Sequence, residues 1–334
     1  MRIENLTKLL AGEIVNSPAI SQIESIKTKA CYIQRADLFV ATDNKDIDLA
    51  IKNGAYGIIF DKEIKITDNE IAWIKVDNIE KALIRYLRYK VIQLLPKIYL
   101  FDDITVQIIK NITKGNNISC LDGDIFDNFS KIMASNSETI FVCNDKKFFG
   151  KINPASISEE FTAKEHVKVI KHSLLKIDFV YNENIYRDKV FPYLFIENLN
   201  RAIEFAQKLY LEISLENIAP INHFEPIFID NNLQIKKFGE TGRVLLLEQD
   251  NRVFKKESIY LKENAKYAKN ILCIPGGLED NFDLKSIKYR DFYDIIATIK
   301  EDYNFFLILS NDCEGFKSFL NSFNKQNDNT RSLF

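Results

Sequence analysis

The chain has 334 residues, 46% of them hydrophobic and 28% charged, with a formal net charge of −2 and a pI near 6.1. That length suits two or three domains, and that balance suits a soluble globular protein. It excludes the basic surplus of a nucleic-acid-binding surface, and no uninterrupted apolar run approaches the ~20 residues of a membrane span.

The predicted elements alternate from the start. Apolar spacing in IENLTKLLAGEI (Ile3, Leu6, Leu9, Leu10, Ile14) predicts a short amphipathic helix. Strands follow at DLFVAT, YGIIFD and AWIKVD, the first two separated by a short helix that Gly54 closes. NIEKALIRYLRYKVIQLL repeats its apolar residues at three and four (Ile79, Leu83, Tyr86, Leu87, Val91), which predicts a longer helix ending at Pro96. KIYLFDD then reads as strand, ITVQIIKNITK as helix, NNISCLDG as strand, DIFDNFSKIMA as helix and ETIFVCND as strand. Apolar strands separated by helices of this length predict a parallel sheet covered on both faces. After Pro154 the pattern turns to less regular β segments around VKVIKHSLLKIDFVYNENIY. A helix follows at IENLNRAIEFAQKLYL, with Leu199, Ala202, Ile203, Ala206 and Leu209 on one face. Next is a predicted hairpin, IFIDNNLQIKKFGETGRVLLLE, with turns at Asn231-Asn232 and at Gly239 to Gly242. The last elements are strand NILCIPG, helix YRDFYDIIATIKEDY, strand FFLILSN and helix CEGFKSFLNSF, before a polar tail, NKQNDNTRSLF, that should fray.

The five cysteines, Cys31, Cys120, Cys143, Cys273 and Cys313, are far apart and never form C-x-x-C. Cys120, Cys143 and Cys273 sit in apolar strands, so reduced buried thiols and a cytoplasmic setting are expected. The acids and polar residues spread through MRIENLTKLLAGEIV predict no signal peptide. Lys146-Lys147 and Lys255-Lys256 lie beside acids and read as solvated faces.

The stretch ADLFVA, followed by AIKNGAYGIIFDK and then IKVDNIEKAL, resembles the N-terminal domain of the Mur ligases. These are the cytoplasmic enzymes that add amino acids to UDP-N-acetylmuramic acid. The resemblance covers about the first 90 residues best and points to the branch that adds meso-diaminopimelate or D-Ala-D-Ala. Further on, IENLNRAIEFAQKLYLEISLENIAPINHFEP is similar to the family's asparagine-bearing helix pair, with Asn200 at its second asparagine. GETGRVLLLEQDN, NILCIPGGLED and FFLILSNDCEGFKSFL resemble successive parts of its C-terminal domain. The resemblance implies an α/β, Mur-ligase-like fold: a small N-terminal α/β domain (1–95), a reduced, mainly parallel α/β central region (96–258) and a partial C-terminal α/β unit (259–325), with a flexible tail at 326–334.

The chemistry of that family needs a glycine-rich loop whose amides cradle phosphates at a helix N-terminus, with a lysine and a Ser/Thr for phosphate and Mg²⁺. The loop belongs at the first strand–helix junction after the N-terminal domain, here KIYLFDDITVQIIKNITK. G-x-x-x-x-G-K-[ST] is absent there and elsewhere, and Asp102 and Asp103 occupy the junction, where carboxylates repel a triphosphate. Glycine is scarce, 11 residues in 334, about half the usual share. The family's D-[ST]-R falls on Lys29, Ala30 and Cys31. Its histidine and first asparagine fall on Ile196 and Glu197, and its paired aspartates on Leu247 and Glu248. The chain is also shorter than a full ligase, mainly in the central region.

No alternative chemistry declares itself. His166 and His172 are six apart, neither a helical metal pair nor a strand pair with a third ligand; surface or edge positions explain them. His223 reads as structural. Asp122, Asp124 and Asp127 lack the rest of a calcium loop, and Asp124 reads as a helix cap. Gly276-Gly277 reads as a tight turn. Tyr and Phe are plentiful, which core packing explains. The expectation is therefore a non-catalytic Mur-ligase-like protein tied to peptidoglycan precursors, with no catalytic or metal residues and no cofactor. Its partner would be UDP-MurNAc-peptide or a cell-wall synthesis protein. One alternative is an ATP-dependent ligase with an atypical nucleotide site, which would need ATP and Mg²⁺. The other is an unrelated small-ligand-binding module. Candidate ligand-binding residues are Thr42, Asp43, Asn44 and Lys45, where the family's first domain meets the nucleotide sugar, and Asn200. Against this, the loop also reads as a polar turn with a helix cap at Asp46 or Asn44.

Overall fold

The structure, a computed structural model, describes residues 1–115, 117–153 and 161–331, with side chains as far as 322. The chain divides into two compact units, Met1–Val106 with Gly115–Glu160, and Gln107–Lys114 with Phe161–Phe334.

The first unit opens with α1 (Ile3–Leu10), β1 (Glu13–Ile14), β2 (Ile26–Lys27), β3 (Leu38–Val40), α2 (Ile47–Lys52), β4 (Gly57–Phe60), β5 (Ala72–Lys75) and α3 (Ile79–Leu94). The sheet order is β1-β5-β4-β3-β2, with β2 to β5 parallel and β1 antiparallel at the edge. Strand alternation sorts its two faces. Leu38, Val40, Ile59, Ala72 and Ile74 pack with α1 and α3. Phe39, Ile58, Phe60 and Trp73 pack on the other side with Ile47 and Ala50 of α2. Helix α2 ends at Gly54, whose φ of +95° suits glycine alone without strain. Gly57 matters for space instead: a Cβ there would lie 2.3 Å from Leu38 Cδ2 and 2.7 Å from the carbonyl oxygen of Ala72. Gly57→Ala is therefore expected to destabilise the chain by about 1–3 kcal/mol, as overpacking does, measured by urea denaturation.

The same unit continues through β6 (Lys97–Leu100), α4 (Asp103–Ile112), which crosses into the second unit with β7 (Thr113–Lys114), then β8 (Ile118–Leu121), α5 (Ile125–Met133), β9 (Ile140–Cys143) and α6 (Lys146–Ile152). Strands β6, β9 and β8 form a parallel sheet in that order. Helix α3, capped by Asn78 on the Lys81 amide at 2.9 Å, packs against α5 and α6. Its Leu83, Tyr86 and Leu87 share one core with Phe129, Phe141 and Phe148. Residues on either side of the expected 95/96 boundary thus bury each other.

The second unit contains an antiparallel meander, β10 (Lys168–His172), β11 (Lys176–Tyr181) and β12 (Asn184–Val190), then α7 (Ile196–Lys208) and β13 (Glu212–Ile213), which pairs with β7. Strands β14 (Glu225–Ile229), β15 (Ile235–Lys236) and β16 (Val244–Glu248) form the expected antiparallel hairpin arrangement. After them come α8 (Asn251–Asn264), β17 (Asn270–Pro275), β18 (Ser286–Tyr289), α9 (Phe292–Ile299), β19 (Phe305–Leu309) and α10 (Cys313–Arg331). The sheet order is β15-β14-β16-β19-β17-β18, parallel from β16 onward. Leu245, Leu247, Cys273 and Ile308 meet α9 and α10, while α8 packs on β16, β17 and β19.

Several expectations change. Helices α6 and α8 and strand β18 were not anticipated. The 258/259 boundary falls inside α8, whose buried stripe of Phe254, Glu257, Ser258 and Leu261 runs across it. Helix α10 continues to Arg331, through most of the expected tail, and residues 332–334 lie outside the described structure. Among the described residues no helix is long and apolar enough to cross a membrane.

Candidate functional site

Ligands of parallel α/β sheets bind outside the carboxyl ends of the strands, where helix N-termini gather. In the β6-β9-β8 sheet all three following helices begin with an aspartate. Asp102 Oδ1 accepts the Thr105 amide at 3.0 Å and its Oδ2 accepts the Thr105 hydroxyl at 2.7 Å, capping α4. Asp124 Oδ1 accepts the amides of Phe126 and Asp127, both at 2.9 Å. Asp145 Oδ1 accepts those of Lys147 and Phe148 at 2.7 and 3.1 Å. The role expected for Asp124 holds, and two more junctions do the same. The Phe101 amide donates to the Cys143 carbonyl at 2.9 Å, and Asn144 Nδ2 donates to Asp103, so β6 and β9 stay joined past their ends. The segment 100–106 holds neither glycine nor lysine. Asp102→Ala is expected to lower stability by about 1–2 kcal/mol through the lost cap, read from the thermal midpoint.

Beside these ends lies a crevice of about 360 Å³ lined by Glu80, Gly123, Asp124, Asp145, Phe148 and Lys151. Asp122 is turned to Lys131 at 2.6 Å. Burial pushes the Cys143 thiol up to about 11, so it stays a protonated, inert thiol.

Thr42, Asp43, Asn44 and Lys45 form an exposed loop at the carboxyl end of β3. Asp43 Oδ1 accepts the Lys45 amide at 2.9 Å, and Lys62 Nζ donates to the Thr42 carbonyl at 3.1 Å. Asp46 stands at the N-cap of α2 with no side-chain capping bond. Asn200 lies in the other unit, buried on α7, its Oδ1 accepting the amides of His166 and Val167 at 2.8 and 3.1 Å. His166 pairs with the buried Glu204 at 2.7 Å, and the exposed His172 stacks on Tyr193. Gly276-Gly277 is a turn closed by Leu278 on Pro275. No group of three or more His, Cys, Asp or Glu among the described residues is placed to hold a metal.

One cluster escaped the sequence reading of function. His223, buried as its structural reading implies, meets Glu248 Oε2 through Nδ1 at 2.7 Å. Glu248 Oε1 accepts the amides of Gln249 and Asp250, each at 2.7 Å. Glu257 of α8 is fully buried, and neither of its oxygens makes a hydrogen bond of proper geometry. Burial first, and then the neighbouring Glu248, push its carboxyl well above the usual range. The signal was an acid at a core position: Glu257 lies three residues after Phe254 and four before Leu261.

No protein-family model matches the chain, and no curated protein matches it. Solved structures do. UDP-N-acetylmuramoylalanyl-D-glutamyl-2,6-diaminopimelate–D-alanyl-D-alanyl ligase from Acinetobacter baumannii aligns with 96% of this chain and 98% of its own, at 13% identity and a TM-score of 0.51. A structure of MurF from Acinetobacter baumannii gives the same values. The chain therefore has the Mur-ligase fold.

Proposed function

We propose that this protein is a Mur-ligase-fold protein without ligase chemistry that binds a muramyl nucleotide in peptidoglycan-precursor synthesis. The observation that carries the reading is the row of aspartate caps at the carboxyl edge of the β6-β9-β8 sheet. Asp102 and Asp103 occupy the junction where a triphosphate would need open amides and a cation. An anion already placed on the first-turn amides competes with phosphate for them and repels it. The fold shared with a ligase acting on a UDP-N-acetylmuramoyl peptide supports the choice of ligand. The exposed Thr42–Lys45 loop is the contact proposed for it.

Thermal-shift binding tests this with UDP-N-acetylmuramoyl tripeptide, ATP-Mg²⁺, and both together. The muramyl nucleotide is expected to stabilise the chain; at a hundredfold excess over Kd the gain is about 2.7 kcal/mol. ATP-Mg²⁺ is expected to give no shift, alone or in combination. Stabilisation by ATP-Mg²⁺ would restore the ligase reading, and no shift with any ligand would point to a protein partner. Lys45→Glu is expected to weaken muramyl nucleotide binding about tenfold, a loss of about 1.4 kcal/mol.

A further inference from the structure

Glu248 and Glu257 are brought together by two independent periodicities. Alternation along β16 sends Leu245 and Leu247 to the α9–α10 side, so Val244, Leu246 and Glu248 take the side that α8 covers. The buried stripe of α8 brings Glu257 to the same place. Glu248 is fully served, by two amides and by His223. Glu257 is not. The Phe224 amide faces it without making a bond of proper geometry. Ionised, Glu257 would be a buried anion with no partner beside a second acid, an arrangement that is strongly unfavourable. Protonated, it becomes a donor, and Glu248 lies within hydrogen-bonding reach to accept.

We propose that His223, Glu248 and Glu257 form a proton-operated latch that holds α8 against the end of β16, closed while Glu257 keeps its proton and loosened when the proton leaves. The titratable groups that face Glu257 among the described residues are Glu248 from β16 and Cys313 from α10, and His223, from the segment before β14, joins the cluster through Glu248. On α8 itself Lys255, Lys256 and Lys262 are exposed, and the Tyr260 hydroxyl is turned to the carbonyls of Ser173 and Leu174. Of these neighbours only His223 can bring positive charge into the cluster, and Glu248 already holds it.

The direction in pH follows. With α8 released, Glu257 titrates near its ordinary 4.5, whereas in the closed latch it titrates well above that. The latch is complete below the ordinary value. It weakens as pH rises from there towards the folded-state value, by up to about tenfold in the opening equilibrium per pH unit. Glu204 and Asp230 act in the opposite sense: hydrogen bonds and nearby lysines outweigh burial and hold them below their usual range. Their stabilisation is lost on acidification, so this unit is most stable between the two regimes.

Hydrogen exchange on the full chain, corrected for intrinsic rates, tests the latch from about pH 5 to about pH 9, the range that brackets an elevated carboxyl. Wild-type protection across Asn251–Asn264 is expected to fall by up to about tenfold per pH unit, while Glu257→Gln stays level. A level wild-type profile, or an equally steep fall in Glu257→Gln, overturns the proposal. Infrared spectroscopy of the wild type alone gives a second test that needs no folded variant. A protonated-carboxyl C=O band that persists above the ordinary carboxylate range is expected from a carboxyl raised by burial and by a neighbouring acid, and its absence there overturns the proposal.

Discussion

His223→Ala is expected to lower the stability of the second unit by about 3–5 kcal/mol, the range found when one partner of a buried ion-pair-type contact is removed. The 2.7 Å contact between Nδ1 and Glu248 Oε2 lies where both side chains are shut off from water. Truncation leaves Glu248 Oε2 without its imidazole partner at a fully buried position. It also opens a void where the imidazole meets the ring of Phe195 edge-on, beside an existing apolar cavity of about 80 Å³. Urea denaturation followed by circular dichroism measures the loss. A loss below about 1 kcal/mol would mean that water enters through that cavity and replaces the imidazole.

Trp73→Ala should have an effect of similar size in the first unit, about 3–5 kcal/mol. Trp73 is wholly buried on β5, its ring edge-on to Phe60 at 6.3 Å between centroids. Its indole N–H donates to the Asp68 carbonyl at 2.6 Å, and its amide donates to Asn16 Oδ1 at 3.0 Å. Alanine keeps the backbone bond but deletes the ring, leaving a cavity among Phe39, Ile58 and Ile71. Trp73→Phe should cost less, because the ring volume is mostly kept and only the Asp68 bond is lost. The pair of variants separates packing from hydrogen bonding by their difference in denaturation midpoint. Equal losses in both would assign the stability to the indole bond instead.

Much of this architecture could be read from local sequence. The strands at Leu38–Val40, Gly57–Phe60, Ile140–Cys143 and Phe305–Leu309 fall in apolar runs bounded by turns, and α7 falls on its amphipathic stripe. Helix α6 was harder to see because KKFFGKI is short and interrupted by glycine. Helix α8 was harder because Glu257 breaks the apolar stripe that would have marked it. The expected 95/96 division misjudged α3, whose apolar face serves both sheets of the first unit at once. An amphipathic pattern shows that a helix has a buried face, but not how many elements share it.

The candidate site divides along the same line. The sequence by itself determined that the β6–α4 junction carries Asp102 and Asp103 in place of glycines and a lysine, because a phosphate cradle is built from consecutive residues. It also determined the Asp124 cap and the Gly276-Gly277 turn, which close over two or three positions. Only the tertiary structure decided that Asp103 is bridged to Asn144, and that Asn200 holds the amides before β10 rather than facing outward. It alone decided that His223, Glu248 and Glu257 are enclosed together, since their meeting depends on α8 covering one face of β16. Contacts closed by neighbouring residues are written in local order. Contacts between distant residues arise when apolar faces pack, and polar groups carried on those faces are buried with them.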